Sequence, residues 1–223
     1  MRRRWIAAFL ALIVVLLAAC TVRQQPTPTP TSVPLPTEDF DTLMQGAETD
    51  LDNQQIESAV VKLQQALTLN DSSAKAHFLL GNAYAQQSKF AEAEREFSRA
   101  LELDPNYADA RANLGVVYYQ QGKLEEAESV FRDILAESPD DAELHYNLGG
   151  VLAGLGRYDD AIAEFEQAIE LNPSLPEPYL GLGSVYKQQG QNEQAITALN
   201  RYLELSDDPT WRQRAEEMLA ALE

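Results

Sequence analysis

An all-α fold, an α-solenoid of helix-turn-helix repeats closed by a C-terminal capping helix, is predicted by three observations on this 223-residue chain. A 34-residue spacing carries Gly81 to Gly115, Gly149 and Gly183, and Leu80 to Leu114, Leu148 and Leu182. The same spacing carries Ala93 to Ala127, Ala161 and Ala195, Phe97 to Phe131, Phe165 and then Leu199, and Pro105 to Pro139 and Pro173. Within each period the apolar residues recur at helical intervals in two stretches. Three or more copies at a period of this length predict stacked units rather than a globule around one core.

The stretch 74–107 shows how one unit is built. Phe78, Leu79, Leu80, Ala83 and Tyr84 mark a first helix, with apolar residues on one face. Ser88-Lys89 breaks it, and Gly122, Gly156 and Gly190 replace Ser88 in later copies; glycine suits the left-handed turn after a helix C-terminus. Phe90, Ala93, Phe97, Ala100 and Leu101 mark a second helix, and Asp104-Pro105 stops it, because proline lacks an amide hydrogen and clashes with the preceding turn. Small residues at Gly81 and Ala93 are expected to let the two backbones approach, with Tyr84 and Phe97 filling the space that remains.

Domain boundaries follow from this register. Units span 74–107, 108–141, 142–175 and 176–209. Residues 40–73 form a degenerate first unit, with Leu43, Gly46, Ala47, Ala59, Leu63 and Ala66 in place but Asp50 and Asp71 where tyrosine and proline would stand. A terminal unit differs because one face meets water. Residues 210–223 make the capping helix. Asp208 is its expected N-cap and Pro209 its first residue; Trp211, Ala215, Met218, Leu219 and Leu222 form one apolar stripe.

The first 39 residues read as an address and a tether. Arg2, Arg3 and Arg4 precede an apolar run from Trp5 to Ala19, short for a membrane-spanning helix, which needs about 20 residues, and suited to a signal peptide over 1–19. Leu17-Ala18-Ala19-Cys20 is similar to the lipobox of bacterial lipoproteins, which implies acylation of Cys20 and retention at a membrane. Cys20 is the only cysteine, so no disulfide forms within the chain. Residues 20–39 are rich in proline and threonine and are expected to be an extended tether without a core.

The repeat pattern resembles the tetratricopeptide repeat family over residues 74–209. Leu80-Gly81, Tyr84, Ala93, Phe97, Ala100 and Pro105 match its motif in one copy, and Leu114-Gly115, Tyr118, Ala127, Phe131 and Pro139 in the next. Leu148-Gly149, Ala161, Phe165, Ala168 and Pro173 follow with Leu152 in place of tyrosine, then Leu182-Gly183, Tyr186 and Ala195. The resemblance implies a right-handed solenoid whose first helices line a concave groove for a protein or extended peptide. Carried over by position, the groove takes Lys75, Phe78, Asn82 and Gln86 from one unit and Asp109, Asn113, Val116, Tyr119 and Gln120 from the next. It continues through Glu143, Tyr146, Asn147, Gly150 and Gly154 and ends with Glu177, Leu180, Ser184, Lys187 and Gln188. Amide side chains can bond a peptide backbone, and tyrosine and phenylalanine can anchor it. Gly150 and Gly154 are expected mid-helix, where glycine is costly.

Composition narrows the partner. The chain holds 35 acidic and 17 basic residues, a net charge of −18, which repels nucleic acid. With only Lys75 and Lys187 among groove cations, and Asp109, Glu143 and Glu177 between them, a neutral or basic segment is expected rather than an acidic tail. No catalytic constellation is present: His77 and His145 lack a second ligand at i+3 or i+4, no phosphate loop or nucleophile elbow occurs, and no metal or cofactor is expected. The sequence therefore predicts a non-enzymatic adaptor, lipid-anchored through Cys20 on the extracytoplasmic side of a bacterial membrane, in envelope complex assembly. A self-associating structural envelope protein is the alternative.

Overall fold

The computed structural model describes residues 38–222. The signal peptide, the acylation of Cys20 and the tether up to Thr37 lie outside the described residues, as does Glu223. The described residues form helices and connecting turns, in two compact units that meet at Ala110–Arg111.

The first unit holds α1 (Phe40–Asp52), α2 (Ile56–Leu69), α3 (Ala74–Gln86), α4 (Phe90–Leu103) and the start of α5 (Ala108–Gln120). Asp39 opens α1 by accepting from Thr42 N at 2.9 Å, and Ser73 opens α3 by accepting from Ala76 N at 3.2 Å; each satisfies an amide that the helix leaves unbonded. Sharp turns fold α2 back on α1 and α4 back on α3. They pass through Gln54 at φ 59° and Ser88 at φ 58°, left-handed conformations that strain a residue with a Cβ. Leu43, Met44, Ala47, Leu63, Ala66, Ala76 and Leu80 form the shared apolar cluster of α1, α2 and α3.

The second unit holds the rest of α5, then α6 (Leu124–Glu137), α7 (Ala142–Gly154), α8 (Tyr158–Leu171), α9 (Glu177–Gln188), α10 (Asn192–Leu205) and α11 (Pro209–Ala220). Its turns use Gly122, Gly156 and Gly190 at φ 72° to 75°, so the strain at Ser88 is absent here. Asp208 caps α11 by accepting from Thr210 N and Trp211 N at 2.9 and 3.1 Å. Leu180, Leu199, Tyr202 and Ala215 bury its inner face, with Trp211, Met218 and Leu219 packed around them. Arg212 also bonds the carbonyls of Leu203 and Ser206, which ties α11 to the end of α10.

The repeated glycines accept a ring rather than a backbone. A Cβ on Gly81 would lie 2.7 Å from Phe97 Cδ1, one on Gly149 2.7 Å from Phe165 Cδ1, and one on Gly115 2.9 Å from Phe131 Cε1. At Gly183 the neighbour is Leu199 Cδ2, at 2.7 Å. Phe165 is held twice, because a Cβ on Gly181 of the following repeat would lie 2.6 Å from its Cζ. The expected partnership of Tyr84 with Phe97 in the interior is corrected: Phe97 is buried, whereas Tyr84 is half-buried and its hydroxyl accepts from Gln64 Nε2 at 2.8 Å. Its polar end needs a partner, which draws it to the margin. Gly154 is corrected too. It is exposed and ends α7 instead of lying mid-helix.

One charged pair is drawn into the first unit. Lys62 Nζ lies 2.8 Å from Asp50 Oδ2, and Asp50 is buried. The Lys62 ammonium, then the Ser58 hydroxyl, hold the Asp50 carboxyl below its usual range, against the opposing effect of burial.

Two outcomes follow. Gly149→Ala should cost roughly 1–3 kcal/mol by overpacking, because the added Cβ would lie 2.7 Å from a Phe165 ring that Gly181 also approaches closely; a urea midpoint equal to that of the parent would show that the ring can retreat. The Asp50 carboxyl carries a depressed pKa when folded, so its stabilisation is complete above its unfolded pKa of about 3.9 and is lost as pH falls through the folded value. Thermal unfolding from pH 6 to pH 2 (about that range brackets both values) should fall more steeply in the parent than in Asp50→Asn, and parallel curves would contradict this.

Candidate protein-interaction face

The first helices of the repeats carry the residues expected to meet a partner, and the two units present them differently. In the first unit, α3 places Lys75 at the surface and Asn82 and Gln86 half-exposed. Lys75 Nζ pairs with Glu48 Oε1 of α1, so its charge is already met. Phe78 is half-buried and stacked: its ring centroid lies 6.0 Å from that of Phe97 and 4.8 Å from that of Tyr107. Burial, then Asp109, Asp104 and Glu48, push the Tyr107 hydroxyl up. Asp109 is exposed.

In the second unit, α5, α7 and α9 supply the face. Asn113, Gln120, Glu143, Gly150, Glu177, Ser184 and Lys187 are half-exposed, and Gln188 is exposed. Val116, Tyr119, Tyr146, Asn147 and Leu180, also expected along the groove, are buried and present little surface to solvent. Tyr146 packs on Phe165 with 6.0 Å between ring centroids. Its hydroxyl is pushed far up by burial, with Glu177, Tyr119 and Tyr202 adding to the effect. Burial likewise raises Tyr119.

Asn147 has a physical reason to be inside. It stands one period before Gly181, the position that opens toward the Phe165 ring of the preceding repeat. It is fully buried, and neither Nδ2 nor Oδ1 has a bonding partner. Such an amide loses its hydration without replacement.

Sequence reasoning missed the partners that hold this face in place. Glu48 is one, recognisable only once α1 lies beside α3. Tyr107 is another, and its signal was an aromatic residue just after the Asp104-Pro105 stop. The two histidines also have carboxylate partners that the sequence spacing does not reveal. His77 Nδ1 lies 2.7 Å from Glu96 Oε2 and its Nε2 3.1 Å from the Asp71 carbonyl oxygen. His145 repeats this with Glu164 Oε2 at 2.6 Å and the Pro139 carbonyl at 2.8 Å. Each imidazole therefore spans the two helices of a hairpin and the loop before it.

On the second helices, burial acts to raise the Glu128 carboxyl, but bonds from Arg132 and Arg157 outweigh it and hold the group low. Arg157 Nη1 reaches Glu128 Oε1 at 2.7 Å, which staples α6 to the turn before α8.

The repeat profile and the helix pairs agree on a class: a helical-repeat protein made of stacked two-helix units. Tetratricopeptide repeat profiles match residues 45–108, 79–142, 113–176 and 152–222. The chain belongs to the tetratricopeptide repeat family. No curated protein matches it. Among solved structures it is similar to MamA (residues 41 to the end) from Desulfovibrio magneticus RS-1, at 22% identity and TM-score 0.69, covering 76% of this chain and 97% of that one. It is similar to PilF of Pseudomonas aeruginosa at 22% identity and TM-score 0.66, covering 82% and 88%. It is also similar to YrrB, described as a TPR protein with an unusual peptide-binding site, at 23% identity and TM-score 0.63, covering 80% and 92%. Such identities show a shared fold.

Asn147→Leu should stabilise the chain by about 1–2 kcal/mol, since it removes a buried amide without a partner and keeps the volume similar. A melting temperature higher by a few degrees is expected from calorimetry; a fall would mean that the amide is satisfied within the fold.

Proposed function

We propose that this chain is a non-enzymatic adaptor, anchored to a bacterial membrane by lipid on Cys20, whose repeats bind an extended, neutral or basic segment of a partner protein on the extracytoplasmic side. The observation that carries the binding reading is the half-exposed polar face of α5, α7 and α9, where Asn113, Gln120, Glu143, Glu177 and Ser184 meet solvent while the aromatic residues beneath them are packed. Amides and hydroxyls can bond the main chain of an extended guest, and the two carboxylates favour a cation on it. Lys75 is engaged by Glu48, which leaves Lys187 as the remaining cation among the proposed contacts. That arrangement disfavours an acidic tail. The peptide-binding site reported for YrrB and the fold shared with PilF and MamA support the same class of work. Anchoring rests on the Leu17-Ala18-Ala19-Cys20 motif and the apolar run before it.

Two measurements test the reading. On a peptide array the repeats should retain sequences enriched in lysine and arginine, and Glu143→Lys with Glu177→Lys should reverse that preference; retention of acidic C-terminal peptides by the parent chain would end it. In cells, Cys20→Ser should move the protein out of the acylated membrane pool, read by labelling with an alkyne-bearing fatty acid. Equal label on both forms would exclude Cys20 as the anchor.

A further inference from the structure

The first unit keeps at its surface what the second has drawn inside. Tyr146 of α7 is buried. Phe78, two periods earlier on α3, is only half-buried and stacks on Tyr107, with 4.8 Å between ring centroids and 35° between ring planes. Phe97, a buried ring, lies 6.0 Å from Phe78 on the interior side. The pair therefore rests on the core, and both of its rings still meet solvent.

Tyr107 stands where another residue would serve its helix better. It immediately precedes α5, as Ser73 precedes α3 and Asp141 precedes α7, one period to either side. Ser73 caps its helix by accepting from Ala76 N at 3.2 Å, and Asp141 by accepting from Glu143 N and Leu144 N at 3.0 and 3.2 Å. A tyrosine hydroxyl, at the far end of a ring stacked on Phe78, does not reach back to such amides. A serine or aspartate at this position would cap α5, and the aromatic contact is of about the size of the cap it replaces. Helix stability thus does not single out a tyrosine here. What the ring adds, and a cap would not, is an aromatic surface; a local rule set aside in this way marks a functional position.

The charge around this surface names its guest. Burial, then Asp109, Asp104 and Glu48, push the Tyr107 hydroxyl up, so three carboxylates lie within electrostatic reach of the ring. Glu48 is matched by Lys75, and Asp104 Oδ1 accepts from Asn106 N at 3.1 Å. Asp109 is exposed, and among the described residues no cation pairs with it. An aromatic face beside such a carboxylate suits a guanidinium. Arginine lays its planar group on a ring and still points its fork of N–H donors at a carboxylate, whereas a lysine ammonium is compact and more strongly hydrated. An acidic guest would be repelled by Asp109, and an apolar one would leave it unmatched.

We propose that the Phe78–Tyr107 ring pair, with Asp109 beside it, is the seat of an arginine in the partner's extended segment. Tyr107 supplies the face, Phe78 holds Tyr107 in place and Asp109 accepts from the guanidinium. Resting on the reading of the repeats as binders of a basic segment, this site adds a preference between the two basic side chains and locates it in the first unit.

Calorimetry on the full chain carrying Cys20→Ser tests this, with an acetylated and amidated peptide of three Ser-Arg-Gly units and its lysine and citrulline counterparts. The parent should bind the arginine peptide about tenfold more tightly than the lysine peptide, roughly 1.4 kcal/mol, and the citrulline peptide more weakly still. Tyr107→Leu keeps apolar cover on Phe78 and removes the ring face, so the ratio of arginine to lysine affinity should fall close to one; Tyr107→Phe should restore it. Asp109→Asn, at an exposed position that leaves the fold intact, should lower the ratio severalfold. Equal affinity of the parent for the arginine and lysine peptides would overturn the assignment alone, as would a ratio that Tyr107→Leu and Asp109→Asn both leave unchanged. Failure of the parent to bind any of the three peptides would bring down the basic-segment reading, and this site with it.

Discussion

The insertion of an aromatic ring into a glycine notch is the constraint from which the rest follows. Phe97, Phe131 and Phe165 each sit where a Cβ on the facing helix would collide at under 3 Å. The contact sets the distance between the two helices of a hairpin, so it also sets which residues of the first helix are left over for other work. A methyl group at the notch would push the ring, and a ring in a packed interior has little room to move. Phe165 shows the consequence most plainly, because Gly149 and Gly181 grip it from two successive repeats. The same ring thereby joins a hairpin to itself and to its successor. Where Leu199 replaces the phenylalanine, the notch at Gly183 persists and α11 supplies extra apolar cover over Leu199 and Tyr202. The array ends with a smaller side chain in the notch and an added helix beside it.

This geometry decides what kind of face the first helices can offer. Close approach draws Tyr146 and Asn147 inward, and the solvent side is left with amides, a serine and carboxylates. Anchoring a guest by an open aromatic residue is thus less available here than main-chain bonding and charge. Tyrosine hydroxyls beneath the surface are all pushed toward the neutral form by burial, so they add no charge to the face at any ordinary pH. The net charge of −18 then acts at long range, favouring cationic segments in encounter while the polar groups select at contact.

Much of this was legible in the sequence, and the reason is periodicity. Gly81, Phe97 and Pro105 recur because each has one geometric task per repeat, so their spacing reports the fold directly. Burial at a given position was less legible. Asn147 reads as a surface amide by residue type, and it is buried while Asn113 in the same register is half-exposed, so packing around each copy and not the period decides which amide goes inside. Gly154 reads as mid-helix by period, yet α7 ends on it, since the turn needs Gly156 at positive φ. Pairs such as Lys75 with Glu48 join different repeats through flexible side chains, and nothing in the period of the backbone encodes them.

The degenerate first pair is where register and solvation disagree most. Lys62 stands where Glu96 and Glu164 stand in later repeats, and Leu43 where the histidines stand. The imidazole–carboxylate pair of the inner repeats has become a leucine beside a lysine that turns away to Asp50. A histidine at Leu43 would need both a carboxylate and a preceding carbonyl to satisfy its two nitrogens. A leucine needs only apolar cover. Leu43 finds that cover within the pair, in the buried cluster with Met44, Ala47 and Leu63. Chemistry at the end of the array thus follows from the partners its own helix pair supplies, in the same way that chemistry at the notch follows from what can fit it.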